Sequence, residues 1–598
     1  MEKIAVLDFG GQYAHLITNR VRRLKVYAEL VDSMTPASEL REYKGIILSG
    51  SPFGVHDNGS PTFDDGILEL GIPILGICYG HQLMAQKFGG EVKPGEIKEY
   101  GLAKLQIKKA EGILKNIPDG QAWMSHGDTV ITPGEGFEIT GSTGDCECAA
   151  VANFDRNFYG IQFHPEVTHT EQGNKILKNF LEICGCSFDW SIESYIDQTV
   201  SEIREHAKEK KVFMLVSGGV DSTVCFSLIE KALGTENIYG LFIDTGFMRM
   251  DEGNEVEHAL RSLGFNNLHT YNASKEYFEA LEGVFDPEVK REIIGNLFIE
   301  IQRKVTNKLG LNPDEWLFGQ GTIYPDTIES AGTKHADKIK THHNRVEQIR
   351  KLIDAGKVIE PLKFLYKDEV REVGEKLGLP HEFVWRHPFP GPGLAVRCLC
   401  SEKPDWPADH EKLEHEINEF LNGKAHARIL PIKSVGVQGD ARTYRHPLAL
   451  YNYGEIDWNE LEKVATDLTN KFGAVNRVLL ALKPDNFDFV NAVKGYLSPD
   501  RIELLQKADK ISMDVIAEHS IEQNIWQFPT VLLPVDVNNH GHESVVLRPI
   551  CSEEAMTANF YKMDGAILDK LVAKMSELPL SGIFYDITNK PPGTIEWE

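Results

Sequence analysis

The chain has 598 residues, more than a single hydrophobic core can serve, and this length points to three or four domains. Its 42% hydrophobic and 25% charged residues are those of a globular protein, and no run approaches the ~18 apolar residues of a membrane span or reads as a signal peptide. A formal charge of −26 argues against a nucleic-acid surface and against RNA-modifying chemistry, while leaving room for small phosphate ligands in a locally positive pocket. Nine cysteines are too sparse, and odd in number, for a disulfide framework. The pairs Cys146/Cys148, Cys184/Cys186 and Cys398/Cys400 lack the CxxC spacing of zinc sites, so incidental buried thiols and a cytoplasmic location are expected.

Residues 1–190 alternate short apolar runs, beginning at Lys3–Asp8, with helical patterns, as in an α/β parallel sheet. The run Ile72–Gln82 reads as a buried strand ending at Cys78, with Gly76 and Gly80 two residues to either side and a helix behind. That frame is a nucleophile elbow, and a thiol at a helix N-terminus gains thiolate character. Later in the same domain, Tyr159–Phe163 leads into His164-Pro165-Glu166, which offers a base and a carboxylate to orient it. Leu48-Ser49-Gly50 closes another strand, and the backbone N–H groups there and at Tyr79 are candidates for an oxyanion hole. The strings GICYGHQL, FHPEV, LDFGGQY and MSHGD resemble the class I glutamine amidotransferases, which hydrolyse glutamine through a thioester and pass ammonia to a synthetase. The resemblance implies Cys78 as nucleophile, His164 as base and Glu166 as its orienter, with Ser51 standing where relatives often carry a second glycine.

A second α/β alternation follows a helical stretch at 192–210. The apolar run Val212–Val216 leads into Ser217-Gly218-Gly219-Val220-Asp221-Ser222 and then a helix, so a glycine turn and a helix N-terminus make an anion site. It is not a GxxxxGK[ST] loop, which leaves phosphates to backbone, hydroxyls and a metal that Asp221 could help bind. Ile238–Asp244 is a further buried strand, whose terminal Asp244 could edge a nucleotide or simply make a turn. SGGVDS resembles the pyrophosphate loop of the N-type ATP pyrophosphatases. These cleave ATP between the α- and β-phosphates, which implies Mg²⁺ with Asp221 as its protein ligand. The polar stretch from Gly319 to Asn344 reads as a lid in which Lys340 suits phosphate charge or is merely solvated. In Arg386–Arg397 the prolines and glycines fix the backbone, and the terminal arginines offer phosphate contacts.

Residues 398–598 contain two similar segment pairs, 428–435 with 530–537 and 474–480 with 580–586. Each half reads strand, strand, helix, strand, so an α+β unit duplicated at about 398–490 and 491–598 is expected. The fold class is thus two doubly wound parallel-sheet domains, at 1–190 and 191–397, followed by an α+β region of two tandem subdomains. Together with RHPFPGPGL and the tail KPPGTIEWE, the motifs resemble the glutamine-hydrolysing GMP synthetase family along nearly the whole chain. That resemblance implies glutamine, ATP and xanthosine 5′-monophosphate (XMP) as ligands. It assigns Arg291, Asp440, Gln527, Lys590 and Glu596 to the XMP pocket. Lys590 suits a phosphate, while Gln527 and Asp440 suit purine edges or ribose hydroxyls. The short members pair two chains through this region. Two copies in one chain would replace that dimer and leave a monomer; otherwise a homodimer is expected.

Overall fold

The strand Ile74–Ile77 is buried at all four positions and has parallel neighbours on both sides, Gly45–Leu48 and Phe158–Ile161, which fits its unbroken apolar sequence. The structure is a computed structural model. It describes residues 2–598 apart from 12, 254–256, 259–260, 262–265, 311, 313, 324–354, 386–388, 439–440 and 553–557. The expected lid residue Lys340, the expected XMP residue Asp440 and Arg386 lie outside the described residues.

The described residues fall into two units, one of 2–199 with 323 and 363–373, the other of 200–322, 355–362 and 374–598. The first is built on a nine-stranded sheet. Five parallel strands (Tyr27–Asp32, Lys3–Asp8, Gly45–Leu48, Ile74–Ile77, Phe158–Ile161) continue into four antiparallel ones (Ala150–Asn153, Glu138–Ser142, Glu91–Ile107, Gly120–Thr132). One face packs Ile17 and Val21 of helix Ala14–Arg23 beside Ile176, Leu177 and Phe180 of helix Gly173–Ile183; the other takes Tyr79, Leu83 and Met84 of helix Tyr79–Lys87. Both faces are therefore covered, as a doubly wound sheet requires.

The segment 363–373 belongs with this unit. Arg22, almost fully buried, pairs with Glu369 at 3.0 Å, and the Tyr366 hydroxyl donates to the His15 carbonyl at 2.7 Å.

The second unit contains a five-stranded parallel sheet in the order Leu268–Asn272, Ile238–Asp244, Lys211–Leu215, Trp316–Gly319, Val358–Ile359. From Lys211–Leu215 the chain winds outward in one direction, then returns to build the other side. The carboxyl end of that strand is thus a topological switch point, where such sheets take ligands. In the C-terminal region six strands run His426–Ile429, Ala441–Tyr451, Val475–Lys483, Leu580–Asp586, Glu543–Leu547, Thr530–Leu533, with Ser434–Gln438 paired to Ala441–Tyr451. The third strand of each half pairs antiparallel with the other at the centre. Helices Trp458–Lys471 and Gly565–Met575 make the equivalent parallel crossovers, and His410–Leu421 and Pro499–Glu518 precede the first strand of each half.

Candidate active sites

Cys78 has φ +53, a left-handed backbone rare for a residue with a side chain, between strand Ile74–Ile77 and helix Tyr79–Lys87. The chain can turn there because of its flanking glycines. A Cβ on Gly76 would lie 2.7 Å from the backbone of Gly80, and one on Gly80 would lie 2.3 Å from the Leu48 carbonyl. His164 and Glu166 are buried, and Nδ1 of the histidine lies 2.6 Å from Oε1 of the glutamate. Burial alone would lower the His164 pKa, but the charge of Glu166 and then Cys78 outweigh it and hold the imidazole well above its ordinary value. With Nδ1 committed to Glu166, Nε2 is the ring nitrogen left for the thiol. A Cβ on Gly50 would touch His164 Cε1 at 3.5 Å and Cys78 Cβ at 4.0 Å, which brings that backbone beside the triad. Tyr79 is the first residue of its helix, so its N–H has no acceptor within the helix. The residues expected as nucleophile, base, orienter and oxyanion donors therefore lie together.

Sequence reading missed the shell around them. The Tyr13 ring stands edge-on to His164 with centroids 5.1 Å apart, Gln162 Nε2 lies 3.7 Å from the Cys78 sulfur, and Arg20 Nε donates to the Glu166 carbonyl at 2.8 Å. Thr170 Oγ1 donates to the His164 carbonyl at 2.6 Å. Tyr13 and Gln162 sit inside or beside the strings already singled out; Arg20 and Thr170 carry no signal in the sequence. His81, by contrast, is a core histidine, fully buried against the Cys148 carbonyl with its pKa pushed down to about 4 by burial.

In the second unit, residues Ser217–Ser222 leave the carboxyl end of strand Lys211–Leu215 and enter helix Val220–Leu233, with Gly218 at φ +76. Ser222 Oγ accepts from the Ser217 N–H at 3.1 Å and lies 3.0 Å from Ser217 Oγ, while the Gly219 N–H donates to Ser217 Oγ at 3.2 Å. These bonds fold the loop over the helix N-terminus, where backbone donors and the helix dipole favour an anion. Asp221 is in the first helical turn and half-buried. Among the described residues no group of three or more His, Cys, Asp or Glu could hold a metal. A carboxylate beside an anion loop instead suits Mg²⁺, which is commonly bound by one or two carboxylates plus substrate phosphates. Asp244 ends the adjacent strand and accepts from the Gly246 N–H at 2.9 Å.

Four of the expected XMP residues lie in the same unit. On helix Pro287–Lys308, Arg291 gives Nη1 to Glu288 at 2.6 Å, while its Nη2 is buried with no hydrogen-bond partner. Gln527 is buried and donates Nε2 to Glu596 at 3.3 Å. Lys590 bonds through its backbone to Ala558, and burial, together with nearby Arg548, lowers its ammonium pKa. Arg397 departs from expectation. It is fully buried and donates to Glu596 through Nε at 3.1 Å and Nη2 at 2.9 Å, so it anchors the tail and is not open to phosphate.

Family models match three consecutive parts of the chain: Glutamine amidotransferase class-I over residues 5–184, NAD synthase over 191–306 and GMP synthase C terminal domain over 514–597. A probable GMP synthase [glutamine-hydrolyzing] of Leptospira interrogans is 49% identical over 100% of this chain and 99% of its own length. The chain belongs to the glutamine-hydrolysing GMP synthase family. A Dictyostelium discoideum GMP synthase is 35% identical over 100% of this chain and 94% of its own. The Lactobacillus acidophilus GMP synthase, 43% identical, is covered over 96% of its length but matches only 80% of this chain, so the family has long and short members. As a glutamine-hydrolysing GMP synthase the chain is a carbon–nitrogen ligase that carries a glutamine amidotransferase domain. No helix among the described residues is long and apolar enough to cross a membrane.

Proposed function

We propose that this GMP synthase aminates XMP through an adenylylated intermediate. The xanthine O2 attacks the α-phosphorus of ATP and pyrophosphate leaves; ammonia then attacks C2 and AMP leaves with the former O2. Products are GMP, AMP, pyrophosphate and, from the amide donor, glutamate. Activation is needed because a urea-like oxygen is a poor leaving group. Residues Ser217–Ser222 hold the pyrophosphate that departs, Asp221 would hold Mg²⁺, and the ion would supply charge neutralisation. Arg291, Gln527, Lys590 and Glu596 take XMP, and the family resemblance adds Asp440 to that set, with Lys340 suited to the phosphate contacts. The observation that carries this reading is the donor-rich SGGVDS loop at the switch point of a parallel sheet, in one unit with an arginine whose Nη2 is unspent. Catalysis there is positioning and electrostatics, with no protein nucleophile.

In the first unit, His164 takes the Cys78 proton, the thiolate attacks the glutamine amide, and Gly50 and Tyr79 N–H groups receive the oxyanion. The test is loss of XMP absorbance with ATP and either glutamine or ammonium. Cys78→Ala should abolish turnover with glutamine and keep turnover with ammonium; retained glutamine use would reject Cys78. Chelating Mg²⁺ should stop synthesis with either nitrogen source while leaving glutamine hydrolysis. Failure of both nitrogen sources in the intact enzyme would reject the synthetase reading.

The C-terminal halves are proposed to be a duplication that stands in for the pairing of two short chains. The 1-2-3-3′-2′-1′ strand order and a central antiparallel pair support it, as does the fifth of this chain that short relatives do not match. A monomeric, cytoplasmic enzyme is expected, and a dimer mass by light scattering at micromolar concentration would count against the first part.

A further inference from the structure

Lys290 is 1% exposed on helix Pro287–Lys308, one residue before Arg291. Two of its three ammonium donors go to the carbonyls of Ala395 at 2.9 Å and Cys398 at 3.1 Å, and the group forms an ion pair with Glu598, also buried. A buried ion pair is weak grounds for a gain in stability, because desolvation offsets most of the attraction. Its better-attested use is to fix a location. What this pair joins is specific. One partner adjoins Arg291, whose Nη2 is unspent. The other lies two residues beyond Glu596, which holds Arg397 and Gln527. Between them Trp597 is fully buried against Leu399, Leu479 and Phe584, with the Arg477 guanidinium over its ring at 4.7 Å. The start of the same helix also meets strand Ala441–Tyr451, where Tyr444 donates to Glu288.

We propose that Lys290 and Glu598 form a positioning pair that ties the tail to the first turns of helix Pro287–Lys308 and so sets Arg291 and Glu596 in register for one purine nucleotide. The pair rests on the XMP reading above and adds a link to it: the tail and Arg291 are ordered together. Neither Lys290 nor Glu598 need touch XMP.

The experiment uses the full-length enzyme with ammonium as nitrogen source and compares Glu598→Gln, Lys290→Met, the double variant and Arg291→Ala. The expected result for both single variants is a KM for XMP raised by between about tenfold and a hundredfold, as for a displaced binding group. The KM for ATP and glutamine hydrolysis should stay at the wild-type level. The double variant should be no worse than the worse single one, because each removes the same contact. An unchanged XMP KM in Glu598→Gln, with a raised one in Arg291→Ala, overturns the positioning pair alone. An unchanged XMP KM in Arg291→Ala overturns the nucleotide reading beneath it. Equal losses toward XMP and ATP with a lowered melting temperature would make the pair structural and overturn it too. If the variants do not fold, hydrogen exchange on the wild-type enzyme decides: XMP should protect residues 287–295 and 588–598 together, and protection of one without the other rejects the proposal.

Discussion

Nδ1 of His164 lies 2.6 Å from Oε1 of Glu166, and neither side chain reaches solvent. The glutamate therefore fixes the ring tautomer and favours its charged form. Replacing Glu166 by Gln keeps the shape and removes the charge, and should lower glutamine-dependent kcat by roughly 10²–10⁴-fold, the range of a disabled acid–base partner. Ammonium-dependent synthesis should be untouched. The same contact sets a pH dependence of stability. The folded-state pKa of His164 is raised, against burial, by Glu166 and Cys78, so the native state holds that proton more tightly than the unfolded chain. Stabilisation is complete below the ~6.5 of an unfolded histidine and fades as pH rises through the higher folded value. Melting of the first unit followed from pH 6 upward should fall with pH, and the slope should flatten in Glu166→Gln.

Gly80 offers a test in which two effects oppose. It sits in the first turn of helix Tyr79–Lys87, where alanine would be favoured by about 1 kcal/mol on propensity. A Cβ there would stand 2.3 Å from the Leu48 carbonyl, backbone that cannot rotate away. Overpacking of that kind typically costs about 1–3 kcal/mol or more, so the clash wins. Gly80→Ala should lower the melting temperature of the first unit and displace Cys78 enough to cut glutamine hydrolysis. A neutral Gly80→Ala would mean that the elbow is looser than its contacts imply.

Arg22 and Glu369 make a buried pair with Arg22 1% exposed. Removing one partner leaves the other charged in a dry environment, a loss of about 3–5 kcal/mol, whereas replacing both by apolar residues is often near neutral. Arg22→Met should therefore destabilise the first unit more than Arg22→Met combined with Glu369→Leu, by chemical denaturation. The reverse order would make the contact a surface pair worth little.

Local geometry was legible where a turn constrains the backbone. Cys78 between Gly76 and Gly80, and SGGVDS between a strand and a helix, could be read because a tight turn demands glycine and leaves a pattern. The repeat of strand, strand, helix, strand in the C-terminal region was legible for the same reason, as periodicity survives divergence. Arg397 misled because an arginine beside a proline-glycine run looks the same whether it faces solvent or, itself buried, a glutamate 199 residues away. Arg22, Arg20 and Lys290 left no pattern at all: their partners are distant in sequence, and only tertiary packing brings them together.

Asp586 is the sharpest case of that kind. It ends the strand Leu580–Asp586, is fully buried, and receives Arg477 at 2.9 Å and Arg548 at 2.7 Å, both arginines also fully buried. Burial and then the neighbouring Arg548 push the Arg477 pKa down, with Asp586 working against them. Both guanidinium groups also donate to the tail: Arg477 to the carbonyls of Thr594 and Glu596, Arg548 to those of Thr588 and Ile595. Asp586→Asn removes the one carboxylate between two buried cations. By the cost of a broken buried pair, about 3–5 kcal/mol, the C-terminal region should lose a large share of a typical domain's stability. The tail bearing Lys590 and Glu596 should loosen first, since its carbonyls depend on those arginines. Ammonium-dependent synthesis at low XMP should fall before the far-ultraviolet circular dichroism changes, while glutamine hydrolysis by the first unit persists. Synthesis that keeps its wild-type XMP dependence in Asp586→Asn would show that the tail is held without this triad.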